Sequence, residues 1–401
     1  MVFSENVRQI EGSSTLAVAA LCRELRAKGR DILDLSIGEP DFRTPDFIAE
    51  AGIASVHQGK THYPPVSGVP ELRKAIAEAI RRDTGTAADP ADILVTSGAK
   101  QALFNACFTL FGPGDEVLVP SPYWTSYPAL IKLARAEPRI VTSLPERGFK
   151  VGVADLEAAY TPRVRGLILN SPSNPTGVVY TRDEIAAIVD WARKHDIWVI
   201  SDEIYARICF TGPRAASVLD VTDSLDNIVI IDGASKAFAM TGWRLGYSYA
   251  PRQLTQKMSE VQSQITSGAS SPAQYAAVAA YGMVEESNSA VKAMVEVFHA
   301  RRDSLIRQFR ELLPDVQFVE PDGAFYLFFR VDRYFDETRP DSPAFCRWLL
   351  EQTDVALVPG DAFGDDRFVR LSYAAPGAII DEAVRRIARA VADTPAHIAS
   401  R

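Results

Sequence analysis

A lysine that is to act as a nucleophile must shed its proton, and one segment of this chain favours that. Lys236 lies in Ser235-Lys236-Ala237-Phe238-Ala239-Met240, with apolar neighbours in place of charged ones. An amine in such surroundings is partly desolvated, loses its proton more easily and can condense with a carbonyl to an imine. A surface lysine that snorkels to water gives the same local pattern. A second signal is Ser201-Asp202-Glu203-Ile204-Tyr205, which follows the apolar run Trp198-Val199-Ile200. A carboxylate at the end of a buried strand is costly unless it meets a cation or a donor, although Asp202 also suits a structural cap. Tyr205, three residues on, can share its cavity.

Other residues hold equivalent places. Gly166-Leu167-Ile168-Leu169 runs into Asn170-Ser171-Pro172-Ser173-Asn174-Pro175-Thr176-Gly177, where prolines stiffen the loop and can aim the amide of Asn174 into a pocket. A tight turn without a ligand is the competing account. Glu116-Val117-Leu118-Val119 leads to Ser121-Pro122-Tyr123-Trp124, and Trp124 suits either stacking on a flat heteroaromatic ring or core packing. Ile93-Leu94-Val95-Thr96 leads to Ser97-Gly98-Ala99-Lys100, small residues ahead of a helix. These suit an anion at a helix N-terminus as well as a plain cap. No GxGxxG or GxxxxGK[ST] pattern occurs, so dinucleotides and nucleoside triphosphates are not indicated.

All these residues fall just past the carboxyl ends of predicted strands that alternate with helices, the latter over about residues 100–111 and 182–195. Ile185, Ile188, Val189 and Trp191 share one face of the second helix. Ile228-Val229-Ile230-Ile231 is a further strand, stopping before Ser235. Strands apolar on both sides that alternate with helices imply a mostly parallel sheet covered on two faces, and ligands bind at the carboxyl edge of such a sheet. After about residue 285 the pattern changes. A long charged helix over 291–313 precedes strands near Phe325-Tyr326-Leu327-Phe328 and Phe368-Val369-Arg370-Leu371, and a last helix covers 381–392. The expected fold class is α/β, a large domain with a mostly parallel central sheet plus a smaller α+β domain. Residues 1–46 are expected to form an N-terminal arm and part of the small domain, 47–299 the large domain, and 300–401 the C-terminal small domain.

Composition narrows the function. The 401 residues are 47% hydrophobic with a formal net charge of -8, a poor match for nucleic acid or an anionic membrane, which demand a basic face. The apolar run from Leu16 to Cys22 is far too short to span a membrane and lacks a signal-cleavage pattern. Four cysteines, Cys22, Cys107, Cys209 and Cys346, are scattered singly, as in a cytoplasmic protein with reduced thiols. The five histidines show no paired metal-ligand spacing, so no metal is expected.

Taken in series, the motifs are specific. They run from Ile37-Gly38-Glu39-Pro40-Asp41, through Tyr63-Pro64-Pro65-Val66-Ser67-Gly68 with Leu72-Arg73, to Asn170–Gly177 and Ser201–Tyr205. Ser235-Lys236 with Arg244 follows, and then Val369-Arg370-Leu371-Ser372-Tyr373. Over almost the whole chain, and in consistent order, this series resembles the class I aminotransferases of fold type I, particularly their bacterial aspartate-aminotransferase-like branch. The resemblance implies the fold-type-I transferase fold with pyridoxal 5'-phosphate as cofactor, held by the large domain. It makes Lys236 the residue that carries the cofactor. Asp202 would face the pyridine nitrogen and Tyr205 the phenolic oxygen, with Asn174 shared between that oxygen and the substrate α-carboxylate. Trp124 would stack on the ring and border the substrate. Ser235, Arg244, and Gly98-Ala99 with the adjoining Lys100 would receive the phosphate. Arg370 would grip the α-carboxylate under the backbone of Gly38. Tyr63 matches a tyrosine that reaches the neighbouring subunit's phosphate, which implies a homodimer with shared sites. In one departure, Gly233 stands three residues before the lysine, where many relatives carry a phosphate-binding hydroxyl.

In that branch a lysine at the position of Lys100 and hydroxyls such as Ser13 and Thr15 contact the distal carboxylate of a dicarboxylic substrate. The expected reaction is therefore ping-pong transamination of L-aspartate with 2-oxoglutarate to oxaloacetate and L-glutamate. Alternatives are amination of prephenate to arogenate, or a lyase, decarboxylase or oxidase built on the same residues. A non-enzymatic effector-sensor domain is disfavoured by the acidic charge and by the absence of an expected DNA-binding module.

Overall fold

The computed structural model describes residues 3–392 apart from Gln9, Glu11 and Ser13, so the expected contact of Ser13 lies outside the described residues. Strands are numbered in chain order: β1 (Leu33–Asp34), β2 (Ile93–Thr96), β3 (Glu116–Ser121), β4 (Glu137–Thr142), β5 (Val164–Asn170) and β6 (Trp198–Asp202). They continue with β7 (Ile228–Gly233), β8 (Gly246–Tyr249), β9 (Tyr326–Arg330), β10 (Val355–Ala356), β11 (Val358–Pro359) and β12 (Phe368–Ser372).

A seven-stranded sheet runs in the order β2-β8-β7-β6-β5-β3-β4, and only β8 is antiparallel to its neighbours. Its central strands are apolar on both faces because successive side chains point to opposite sides. Leu167 and Leu169 enter one core and Ile168 the other; Val199 and Ile200 divide in the same way, as do Ile228 and Ile230 against Val229 and Ile231. The chain steps outward from β3 to β4, then returns to β5 and proceeds the other way to β6 and β7. The crevice where strand order reverses, between β3 and β5, is where an open α/β sheet receives a ligand. Two strands carry little sequence signal. In β4 only Val141 is buried, and β8 reads Gly-Tyr-Ser-Tyr. Neither shows the apolar run of a two-faced strand.

The helix expected near residue 182 spans Arg182–Lys194 and starts with a capping box. Glu184 N donates to Thr181 Oγ1, and Thr181 N donates to Glu184 Oε2 at 2.7 Å. The long charged helix begins earlier than its apolar periodicity suggests, at Val284, and ends at Leu312. Glu285 and Glu286 in its first turn complement the helix dipole. The last helix likewise starts early, at Gly377.

A second core gathers around the antiparallel order β11-β12-β9, with Phe298, Phe309, Phe325, Phe329 and Phe345 at its centre. The N-terminal segment joins it through β1, which pairs in parallel with β10, and Arg30 Nε donates to Asp354 Oδ1 at 2.7 Å. Helix Val284–Leu312 connects the two cores, with Val291 in the first and Met294, Phe298 and Phe309 in the second. All four cysteines are buried free thiols. Among the described residues no helix is long and apolar enough to cross a membrane.

The sheet geometry makes one stability contrast testable. Ile200 is 0% exposed in the central strand, whereas Ile140 on edge strand β4 is 41% exposed. Ile200→Ala should cost about 2–5 kcal/mol and Ile140→Ala less than about 1 kcal/mol. Equal shifts in denaturant midpoint for the two variants would contradict this strand order.

Candidate active site

The carboxyl ends of β2, β3, β5, β6 and β7 converge with the N-terminal segment, β9 and β12 on one cavity of about 340 Å³. Asp202, the last residue of β6, faces into it and is 3% exposed. Tyr127 donates to its Oδ2 at 2.7 Å and Ile204 N to its Oδ1 at 3.3 Å. Burial nevertheless pushes its pKa up to about 6, against these donors and the charge of Lys236. A carboxylate in that state has donors but, among the described residues, no cation in contact with it.

Lys236 sits in the short helix Ala234–Ala237 that follows β7, and its Nζ donates to the Gly38 carbonyl at 2.5 Å. Burial lowers its pKa to about 8; Glu39 opposes the shift, while Arg370 and Arg244 add to it. The desolvated amine expected from the apolar neighbours is therefore present.

Arg370 projects from β12 and is 1% exposed. Its Nη1 donates to Asn174 Oδ1 at 2.9 Å and its Nη2 to the Ser36 carbonyl at 2.7 Å, while Nε finds no partner among the described residues. A guanidinium has five N–H groups, so an uncompensated Nε–H and one N–H on each terminal nitrogen remain for a planar anion. Asn174 is held in turn by its loop, where its backbone N donates to Asn170 Oδ1 at 2.9 Å.

Ala99, Lys100, Ser235 and Arg244 line the same cavity. Helix Ala99–Leu110 opens here, and its first N–H groups lie outside its own hydrogen-bond ladder. Gly98 plays a different part from the expected donor, because its N–H is taken by the Thr96 carbonyl at 2.8 Å. It supplies room and backbone shape: φ is +85°, and a Cβ would stand 2.5 Å from Arg244 Nη2. Lys100 Nζ lies 4.9 Å from the Trp124 ring centre, with its pKa lowered by burial and by the charge of Arg244. Trp124, Tyr205, Gly38 and Thr15 also line the cavity. Tyr63 does not; it is 93% exposed.

The family model for aminotransferase class I and II matches residues 30–387. This chain belongs to that family. It is 39% identical to the aspartate aminotransferase of Bacillus subtilis over 98% of this chain and 99% of that one. A bifunctional aspartate and glutamate/aspartate-prephenate aminotransferase of Petunia hybrida is 43% identical, covering 97% of this chain and 82% of the relative. The solved aspartate aminotransferase of Thermus thermophilus with maleate superposes at TM-score 0.92, with 40% identity over 97% of this chain and 99% of that one.

The aminotransferase uses pyridoxal 5'-phosphate, and the residues present fit that group. A buried carboxylate without a contacting cation suits a protonated ring nitrogen. The amine of Lys236, its pKa lowered, suits an aldehyde, and the helix start at Ala99 and Lys100 with Ser235 and Arg244 suits a phosphate.

Several lining residues carry no clear mark in the sequence. Tyr127 lies in the first turn of helix Ser126–Leu133, just after the loop that carries Trp124, and its ring meets Trp124 edge-on at 5.4 Å. Tyr326 lies inside the aromatic run of β9, where nothing distinguishes it from a core residue. Glu39 accepts from Thr241 Oγ1 at 2.8 Å and faces the same cavity.

Gly233, where a hydroxyl was the family expectation, has a packing reason. A Cβ there would stand 2.8 Å from both the Gly246 Cα and the Leu245 carbonyl, because β7 and β8 approach closely. Gly233→Ser should therefore destabilise the cofactor-free aminotransferase by about 1–3 kcal/mol. An unchanged thermal midpoint would show that the strands separate freely.

Proposed function

We propose that this aminotransferase moves an amino group between L-aspartate and 2-oxoglutarate, yielding oxaloacetate and L-glutamate in ping-pong fashion. The observation that carries the reading is a pair of cations in one cavity: Arg370 with three uncommitted N–H groups, and Lys100 beside Trp124. Two positive groups that line one cavity suit the two carboxylates of a dicarboxylic amino acid. The aspartate aminotransferases among its relatives support this, as does the Thermus thermophilus structure with maleate, itself a dicarboxylate.

Bound pyridoxal 5'-phosphate supplies an electron sink for the charge left when the substrate Cα loses its proton. The chain does the rest. Arg370 binds the α-carboxylate through its planar fork, and Asn174, already bonded to that fork, fixes its angle. Asp202, kept out of water, would favour a proton on a ring nitrogen that faces it. Lys236 accepts the Cα proton as a base and returns it as an acid, a role served by a pKa of about 8. Tyr205 would donate to the phenolic oxygen and Trp124 would cover one face of the ring. Ser235, Arg244 and the backbone N–H groups at Ala99 and Lys100 hold the phosphate. Thr15 and Lys100 receive the distal carboxylate.

The exposed Tyr63 supports a homodimer in which this side chain completes the partner's site. Four free buried thiols support a reducing, cytoplasmic setting. The two separate cores support a large domain over 47–299 and a small one from 1–46 with 300–401, joined through helix Val284–Leu312. A second substrate reading, amination of prephenate to arogenate, is supported by the Petunia hybrida relative named for both activities.

The lowered pKa of Lys236 sets a pH dependence. Above about 8 the amine is neutral and nucleophilic, so cofactor-free protein mixed with pyridoxal 5'-phosphate should form the imine, with loss of water, and shift the cofactor's visible absorbance at a rate that rises through about pH 8. Lys236→Ala should show no such shift; a wild-type midpoint near 10.5 would mean that the amine is solvated. Substrate choice is tested with a panel of amino and oxo acids that includes prephenate. Lys100→Ala should lower kcat/KM for aspartate by about 10- to 100-fold, the loss of one charged hydrogen bond, and leave alanine nearly unaffected. Unchanged aspartate kinetics would remove the dicarboxylate assignment.

A further inference from the structure

One member of a buried tyrosine pair in the cavity wall, Tyr326, has no role in the scheme above. Tyr205 lies just beyond β6 and Tyr326 begins β9, yet their hydroxyl oxygens are 2.7 Å apart, and both side chains are buried. The Tyr326 hydroxyl is tightly seated, since a Cβ on Gly38 would stand 2.6 Å from it. Its ring lies 4.5 Å from the Arg370 guanidinium. That contact follows from register: Arg370 pairs with Phe328, and Tyr326 sits two residues back on the same face of the adjoining strand.

A phenol has one proton. Of the two protons in the pair, one lies between the oxygens and the other is left over. We propose that Tyr326 is a positioning residue: it donates its proton to Tyr205 and so turns the Tyr205 proton into the cavity, toward the cofactor's phenolic oxygen. This rests on the role given to Tyr205 above. In the opposite arrangement Tyr205 would present only lone pairs to an electron-rich oxygen. Charge favours the first arrangement. The guanidinium of Arg370 lowers the pKa of both phenols, but it stands against the Tyr326 ring and is the largest influence there after burial, whereas at Tyr205 the charge of Asp202 opposes it, so Tyr326 is the better donor. Hydrogen bonds in such a chain strengthen one another.

The test is a pH titration of visible absorbance in the cofactor-loaded wild type, Tyr326→Phe, Tyr205→Phe and the double variant. Tyr326→Phe keeps the ring against Arg370. It should displace the midpoint by about half a pH unit, in the same direction as Tyr205→Phe. The double variant should titrate like Tyr205→Phe alone, because Tyr326 acts only through Tyr205. Gly38→Ala, which crowds the Tyr326 hydroxyl without removing it, should shift the midpoint in the same direction. Wild-type midpoints in both Tyr326→Phe and Gly38→Ala, or a double variant whose shift is the sum of the two single shifts, overturn the proposal. A wild-type protein that develops no visible band overturns the cofactor reading itself, a result distinct from an unmoved midpoint.

Discussion

A carboxylate withdrawn from water at the tip of a central strand places a constraint on everything around it. Asp202 is buried at the end of β6 with two donors and no cation in contact, and its pKa is accordingly raised to about 6. Such a group is unfavourable to folding unless something positive is brought to it, so the sheet alone gives no reason for its presence. A cofactor with a basic ring nitrogen supplies one. Lys236 is the complementary case, an amine whose pKa burial lowers to about 8. Both groups are strained electrostatically in directions that suit them to the same ligand, one toward holding a proton nearby and the other toward releasing one.

The sheet provides the place for this pair. Reversal of strand order between β3 and β5 opens a crevice at the carboxyl edge, and the residues that enter it hang from strand ends held by cores on both faces. Rigid strands beneath short loops suit a site that must bring an amine, a carboxylate and a phosphate-binding end to fixed separations. The grip proposed for the substrate is organised differently. Arg370 belongs to the second core, yet it bonds Asn174 from the large sheet and the Ser36 carbonyl from the N-terminal segment. Three stretches far apart in the chain must assemble before the guanidinium is oriented, which ties substrate recognition to the docking of the two cores.

Much of this was already present in the order of residues. The alternation of two-faced apolar strands with amphipathic helices was enough for an α/β sheet. The polar residues after each strand marked its carboxyl edge, and Lys236, Asp202 and Asn174 were legible there because charged and amide groups stand out against apolar runs, whereas Arg244 entered only through the resemblance. The motif series identified the family. Strands β4 and β8 were not legible, since one is an edge and the other a Gly/Tyr/Ser stretch whose place depends on its neighbours.

Only the tertiary structure decided which neighbours each group has. Tyr127 against Asp202, Tyr326 against Tyr205, the engaged N–H of Gly98 and the crowding around Gly233 are all contacts between segments or within a tight turn. Periodicity in a sequence reports which side of an element faces a core, because that depends on local geometry alone. Hydrogen-bond partners and close approaches depend on how separate elements pack. A tyrosine in an aromatic strand therefore looks like any other core residue until the strand beside it is in place.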